Sequence, residues 1–92
     1  MKLINYSAEK NELLKESRGI GFEEVLLCIE EEKIIDKFPH PNQEKYKGQK
    51  IIVVKIKDYI YIVPFVETEN EIFLKTIIPS RKMKEKHKKE VK

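Results

Sequence analysis

Residues 49–82 read QKIIVVKIKDYIYIVPFVETENEIFLKTIIPSRK, and this stretch decides the fold. It holds three apolar runs, 51–56, 59–66 and 72–78, each rich in Ile, Val, Tyr or Phe. Such side chains suit a pleated, half-buried surface, and each run is long enough only for a strand. The breaks, Lys57-Asp58 and then residues 67–71, are too short for crossover helices and fit hairpins. An antiparallel meander follows. Pro64 has no amide hydrogen to donate, so it belongs at a bulge or an unpaired edge. The meander ends at Pro79, and Ser80-Arg81-Lys82 opens a strongly basic terminal segment.

Alternation separates two faces of each strand. Ile52, Val54 and Ile56 share one side of the first, with Ile51, Val53, Lys55 and Lys57 on the other. In the second, Ile60, Ile62 and Val66 oppose Tyr59, Tyr61, Val63 and Phe65. In the third, Ile72, Leu74 and Ile78 oppose Phe73, Lys75 and Ile77. The expectation is an aliphatic face under helices and a second face, aromatic and basic, available for binding.

Upstream, Leu3-Ile4-Asn5-Tyr6 reads as a short strand. Ser7 reads as a helix N-cap, with Glu9 in the first turn where the helix dipole favours a carboxylate. That helix runs to about Ser17 and ends at Arg18-Gly19, where glycine suits a left-handed cap. Lys10, Leu14 and Ser17 fall on one stripe, which sets Lys10 beside the core boundary. A second helix starts at Phe22 and ends near Glu31, and Phe22, Val25, Leu26 and Ile29 have the spacing of a core-facing stripe. Residues 33–38 read as a strand, and Pro39-His40-Pro41-Asn42 opens a polar loop that reaches Gly48. The expected fold class is α+β. Two N-terminal helices pack on a mainly antiparallel sheet, and a basic C-terminal helix occupies 81–92.

A chain of 92 residues makes one domain, 1–92, with a single small core. Hydrophobic residues at 40% and charged residues at 38% describe a soluble domain with a heavily charged surface. No apolar run approaches the ~20 residues of a membrane span, and the first residues lack the apolar core of a secretory signal. Cys28 is the single cysteine, so no internal disulfide forms, and its apolar helical setting suits a buried, inert thiol. A reducing, cytoplasmic setting fits.

The net charge of +3 is unevenly placed. Residues 81–92 carry seven basic and two acidic side chains, a net of +5, while the rest of the chain is at −2. Such asymmetry points either to a polyanionic partner or to no more than a solvated terminal helix. No glycine-rich phosphate loop exists among three glycines at 19, 21 and 48. His40 lies in a loop and His87 in the basic tail, without metal-ligand spacing, so neither metal nor cofactor is expected. Of nineteen basic residues only Arg18 and Arg81 are arginine, whose planar fork matches phosphate oxygens. The plainer roles are a helix-end charge for Arg18 and a surface ion pair for Arg81.

The segment Ile77-Ile78-Pro79-Ser80-Arg81-Lys82, reached after a three-strand meander, resembles the close of BrnT-type toxins of bacterial type II toxin–antitoxin systems. There a strand ends in a Ser-Ala-Arg-Lys-Ala-like sequence before a basic helix. The front is similar too. Ser7-Ala8-Glu9-Lys10-Asn11, Arg18-Gly19-Ile20 and Phe22-Glu23-Glu24-Val25 stand where the family has Trp-Asp-x-x-Lys, His-Gly-Val and Phe-Glu-Glu-Ala. Order and spacing agree over nearly the whole chain. Asn5-Tyr6-Ser7 lacks the Trp-Asp pair, and Arg18 replaces the histidine, which removes the easiest general acid or base at neutral pH.

The resemblance implies a RelE-like fold and a metal-independent endoribonuclease that blocks translation. Its substrate would be mRNA, free or on the ribosome, and its partner a cognate antitoxin. RNA cleavage needs the 2′-hydroxyl deprotonated, the phosphorane charge stabilised and the leaving oxygen protonated. The implied catalytic set is Arg81 with Lys50 or Lys82 for the charge, and Lys10 or Glu24 for proton transfer. Arg18, Lys82, Tyr59 and Tyr61 are the expected RNA-binding residues, the tyrosines by stacking on an unpaired base. The competing expectation is a non-catalytic binding domain that uses the same basic face for RNA or an acidic protein.

Overall fold

The structure, a computed structural model, describes residues 2–86. Strand β1 (Leu3–Tyr6) leads into α1 (Ala8–Arg18) and α2 (Phe22–Glu30). Then come β2 (Ile34–Pro39), β3 (Gln49–Ile56), β4 (Tyr59–Glu67), β5 (Glu71–Leu74), β6 (Ile78–Pro79) and α3 (Arg81–Lys86). The sheet order is β1-β5-β4-β3-β2, with β6 beside β4. Every pairing is antiparallel except that of β1 with β5. The fold is thus mixed α+β with a mostly antiparallel sheet. The remainder of the expected basic helix, 87–92, lies outside the described residues.

Residues 57 and 58 form a two-residue hairpin turn, with Ile56 opposite Tyr59. Both are left-handed, at φ 50° and 65°. These are the conformations of a type I′ turn, usually supplied by Asn-Gly. Asp58→Gly should therefore stabilise the fold: relief of the left-handed strain exceeds the entropic cost of glycine by about 0.5–1 kcal/mol. Thermal unfolding checks this, and a midpoint below that of the wild type would contradict it.

The same turn fixes the faces, because directly opposed residues of an antiparallel pair point to one side. Ile52 opposes Val63, and Val54 opposes Tyr61. Ile52, Val54, Ile56, Val63 and Phe65 join Leu14, Phe22, Val25 and Cys28 in one core, with Tyr61 packed against it. The expected split of β4 is therefore inverted. Tyr61 and Phe65 lie on the helix side, and Ile60, Ile62 and Val66 lie on the other. That second face is not an open aromatic platform. Val53 and Ile60 are fully buried there, α3 packs against β4, and Lys86 Nζ lies 3.9 Å from Asp36 on β2.

Pro64 sits where its missing donor is tolerated. Phe65 opposes Leu74 while Ile62 opposes Ile78, so the partner strand carries one extra residue, a β-bulge. Lys75 N donates to Pro64 O at 2.8 Å, and proline cannot make the return bond. The bulge also breaks the alternation. Leu74 and Ile77 are both buried and Ile78 is exposed, which corrects the expectation that Ile78 faces the core.

Ser7 caps α1 by accepting from Lys10 N (3.1 Å), and Gly19 ends it at φ 72°. Its buried residues are Asn11 and Leu14. Lys10, expected at the core boundary, is exposed. Asn11 Oδ1 accepts from Phe22 N (2.7 Å), and its Nδ2 donates to Glu23 (2.9 Å). The Glu23 carboxyl is held below the usual carboxylate range by its own backbone N–H first, then by Lys15 and Asn11. Cys28 is buried as its pattern predicts, and desolvation pushes its thiol up. No described helix is long and apolar enough to cross a membrane.

Candidate functional site

The turn between β3 and β4 gathers cations from several elements. Lys57 Nζ donates to the Gly19 carbonyl (2.8 Å), which ties the Arg18 end of α1 to the turn. Lys84 of α3 lies 4.5 Å from the centroid of the Tyr59 ring, and Tyr59 meets Tyr61 edge-on at 5.6 Å. Lys33, Lys55 and Lys57 line an open cleft of about 430 Å³ that also includes Asp58. Lys33 pairs with Glu31 (3.1 Å) and Lys55 with Asp58 (3.8 Å). Both are surface contacts of little net strength, so the cleft stays electropositive.

The strand-to-helix step is anchored to the sheet. Ser80 N donates to Ile60 O (3.1 Å), and Ser80 Oγ accepts from Met83 N (3.2 Å). Arg81 and Lys82, immediately after it, are exposed and make no ion pair among the described residues.

Lys50 of the expected catalytic set does not lie beside Arg81. Lys50 opposes Phe65, whereas Arg81 follows Pro79, which opposes Tyr61. At about 3.3 Å per residue, this places Arg81 near Tyr59 and roughly 20 Å from Lys50. Lys50 is also engaged: its Nζ lies 3.1 Å from Glu67, which holds Lys2 at 2.7 Å as well. Glu24 accepts from Gly21 N (3.2 Å) and so closes the cap of α2. Lys10 makes no ion pair among the described residues. The resemblance groups these residues by their matching order along the chain, and order does not set distance.

The two ammonium groups, Lys2 first and then Lys50, pull the Glu67 carboxyl down to about 2. A folded value below the ordinary 4.5 means that the pairing stabilises the fold above about pH 5 and is lost as pH falls toward about 2. Glu67→Gln should flatten the acid limb of stability against pH in that interval. An unchanged limb would contradict the assignment.

Lys57 and Lys84 carry much of the cationic cluster, yet neither stands out in the sequence pattern. The signal that was present is a lysine in a two-residue turn beside an aromatic residue. His40 and Tyr46 likewise meet only in the fold, their ring centroids 4.3 Å apart. Among the described residues, no three His, Cys, Asp or Glu side chains gather as a metal site would need. No protein-family model matches the chain, and neither a curated relative nor a solved structure is significantly similar to it.

Proposed function

We propose that the chain is the toxin of a type II toxin–antitoxin pair, RelE-like in fold, and that it cleaves mRNA without a metal ion. The BrnT-type order of motifs motivates this reading, and one observation carries it. Arg81 and Lys82, which match the family's Arg-Lys pair, are exposed cations without an ion pair among the described residues, beside a serine anchored to the sheet. A guanidinium carried on this anchored step donates to phosphate oxygens and offsets the charge that grows on the phosphorane. Arg18, Lys57 and Lys84 extend the positive surface for neighbouring phosphates, and Tyr59 offers a ring to an unpaired base. A cognate antitoxin is the implied partner.

Incubation with single-stranded RNA in EDTA should yield products with 2′,3′-cyclic or 3′-phosphate ends. A strict requirement for Mg²⁺ would sink this mechanism. One observation favours a second reading. Of the expected proton-transfer groups, Glu24 is engaged in the cap of α2 and Lys10 stands exposed on α1. A non-catalytic RNA-binding domain needs no such group. RNA that is bound with a steep salt dependence but never cut would select that reading.

A further inference from the structure

Toward the other end of the second face, the loop between β2 and β3 meets the bulge and leaves a depression of about 200 Å³. His40, Tyr46, Lys75 and Thr76 line it, together with Pro64 and Ile78 of the sheet. The His40 and Tyr46 rings pack into one aromatic wall, and Lys45 Nζ lies 5.3 Å from the Tyr46 ring. Side-chain bonds hold the loop in shape. Gln43 Nε2 donates to His40 O (2.7 Å) and Gln49 O (3.1 Å), and its Oε1 accepts from Gly48 N (3.1 Å).

Asn42 N donates to His40 Nδ1 (3.0 Å), so the neutral imidazole carries its proton on Nε2. That nitrogen makes no hydrogen bond among the described residues. The pairing of β2 with β3 does not need these rings. The backbone bond from His40 N to Gln49 O (2.9 Å) closes the ladder by itself. A preformed aromatic wall and an N–H donor unused among the described residues therefore meet Lys75 and Thr76 at one small hollow, with Lys75 Nζ held 5.5 Å from the Phe73 ring centroid. Bulges commonly re-aim side chains beside functional sites, and this one turns Lys75 and Thr76 into the hollow.

We propose that the pocket of His40, Tyr46, Lys75 and Thr76 is a subsite for one unpaired nucleobase of single-stranded RNA, with its phosphate on Lys75. The aromatic wall offers a stacking surface, and His40 Nε2–H and the Thr76 hydroxyl meet the polar edge of the base. The volume is below the roughly 300–1,000 Å³ of sites for drug-sized ligands, which suits a single ring system. Ile78 lines the pocket and Arg81 lies three residues further on, about 10 Å at strand rise. A short single strand therefore reaches from the pocket, past β6, to Arg81. This subsite rests on the RNA reading above.

The test uses the full chain and a fluorescein-labelled, ten-nucleotide RNA of mixed sequence. Tyr46→Ala should weaken binding roughly ten- to hundredfold with little change in its salt dependence, since stacking is lost and no charge is. Tyr46→Phe, which keeps the ring, should lose less. Arg81→Ala should instead weaken binding and reduce the salt slope. In the wild type, RNA carrying 4-thiouridine should cross-link to Tyr46 or His40. Undiminished binding by a folded Tyr46→Ala, or cross-links confined to residues 81–86, would overturn the subsite while leaving the RNA reading intact. No RNA binding by the wild type would overturn both.

Discussion

Asn11→Leu should lower the unfolding midpoint by about 10–20 °C, from a loss of about 2–3 kcal/mol. Asn11 is 5% exposed and joins α1 to α2, beside the more exposed Lys15–Glu23 pair (3.0 Å). Its Oδ1 takes the N–H of Phe22, a residue with no exposure whose ring stacks on Tyr6 at 4.8 Å. Leucine fills similar space but accepts nothing. The first amide of α2 is then left without a partner inside the core, and Glu23 loses one of the donors that hold its carboxylate. Gly21 shows how tightly this joint is packed. A Cβ there would lie 2.6 Å from Glu23 Oε1, 2.7 Å from Asn11 Oδ1 and 2.8 Å from Lys15 Cε. Its φ of −136° is ordinary extended backbone, so a side chain there meets a limit of space, set by Asn11 more than by the movable ends of Lys15 and Glu23. Asn11→Asp separates the two bonds: it keeps an acceptor for Phe22 but sets a second carboxylate against Glu23. It should fall between Leu and wild type at acidic pH and lose ground near neutrality. Denaturant unfolding measures both, and a wild-type midpoint for Asn11→Leu would mean that water satisfies Phe22.

The elements of the fold were legible because local chemistry decides them. Lys57-Asp58 is too short for anything but a hairpin, Ser7 and Gly19 bracket α1, and Pro64 demands a break in pairing. The faces were only half legible. Alternation sorts residues within a strand, but which parity of β4 joins which parity of β3 is set by the turn. A two-residue turn sets Ile56 against Tyr59, and that alone puts Tyr61 beside Val54. The bulge was signalled by Pro64, yet nothing local says that its partner strand takes the extra residue, so Ile77 and Ile78 exchange places. Asn11 was illegible for a different reason. A polar residue on a helix reads as surface until the amide it serves, eleven positions away, is brought to it. The candidate site divides the same way. The exposure of Arg81 follows from its place after the last strand, whereas the engagement of Lys50 by Glu67 depends on cross-strand register.

Arg81→Ala should reduce RNA cleavage by about 10²–10³-fold, the usual consequence of removing one donor from a developing oxyanion. The midpoint of unfolding should move by no more than a degree or two, because an exposed side chain with no ion pair among the described residues contributes little packing. Arg81→Lys retains the charge but not the planar fork, so it should recover only part of the rate. Lys50→Ala should show the reverse pattern. It leaves Glu67 with Lys2 alone, so stability drops above about pH 5 and its acid limb flattens, while cleavage is spared. Growth arrest on expression should follow the cleavage data, lost with Arg81→Ala and kept with Lys50→Ala. Parallel losses from both substitutions would mean that the cations act as a diffuse field across the whole sheet. Cleavage that survives Arg81→Ala but fails with Lys50→Ala would move the site roughly 20 Å along β4, to the Lys2–Glu67–Lys50 cluster. In that case the ion pairs around Glu67 would have to open for RNA to bind. The reaction should then quicken with added salt at low ionic strength, opposite to the slowing expected if phosphates meet the exposed Arg81.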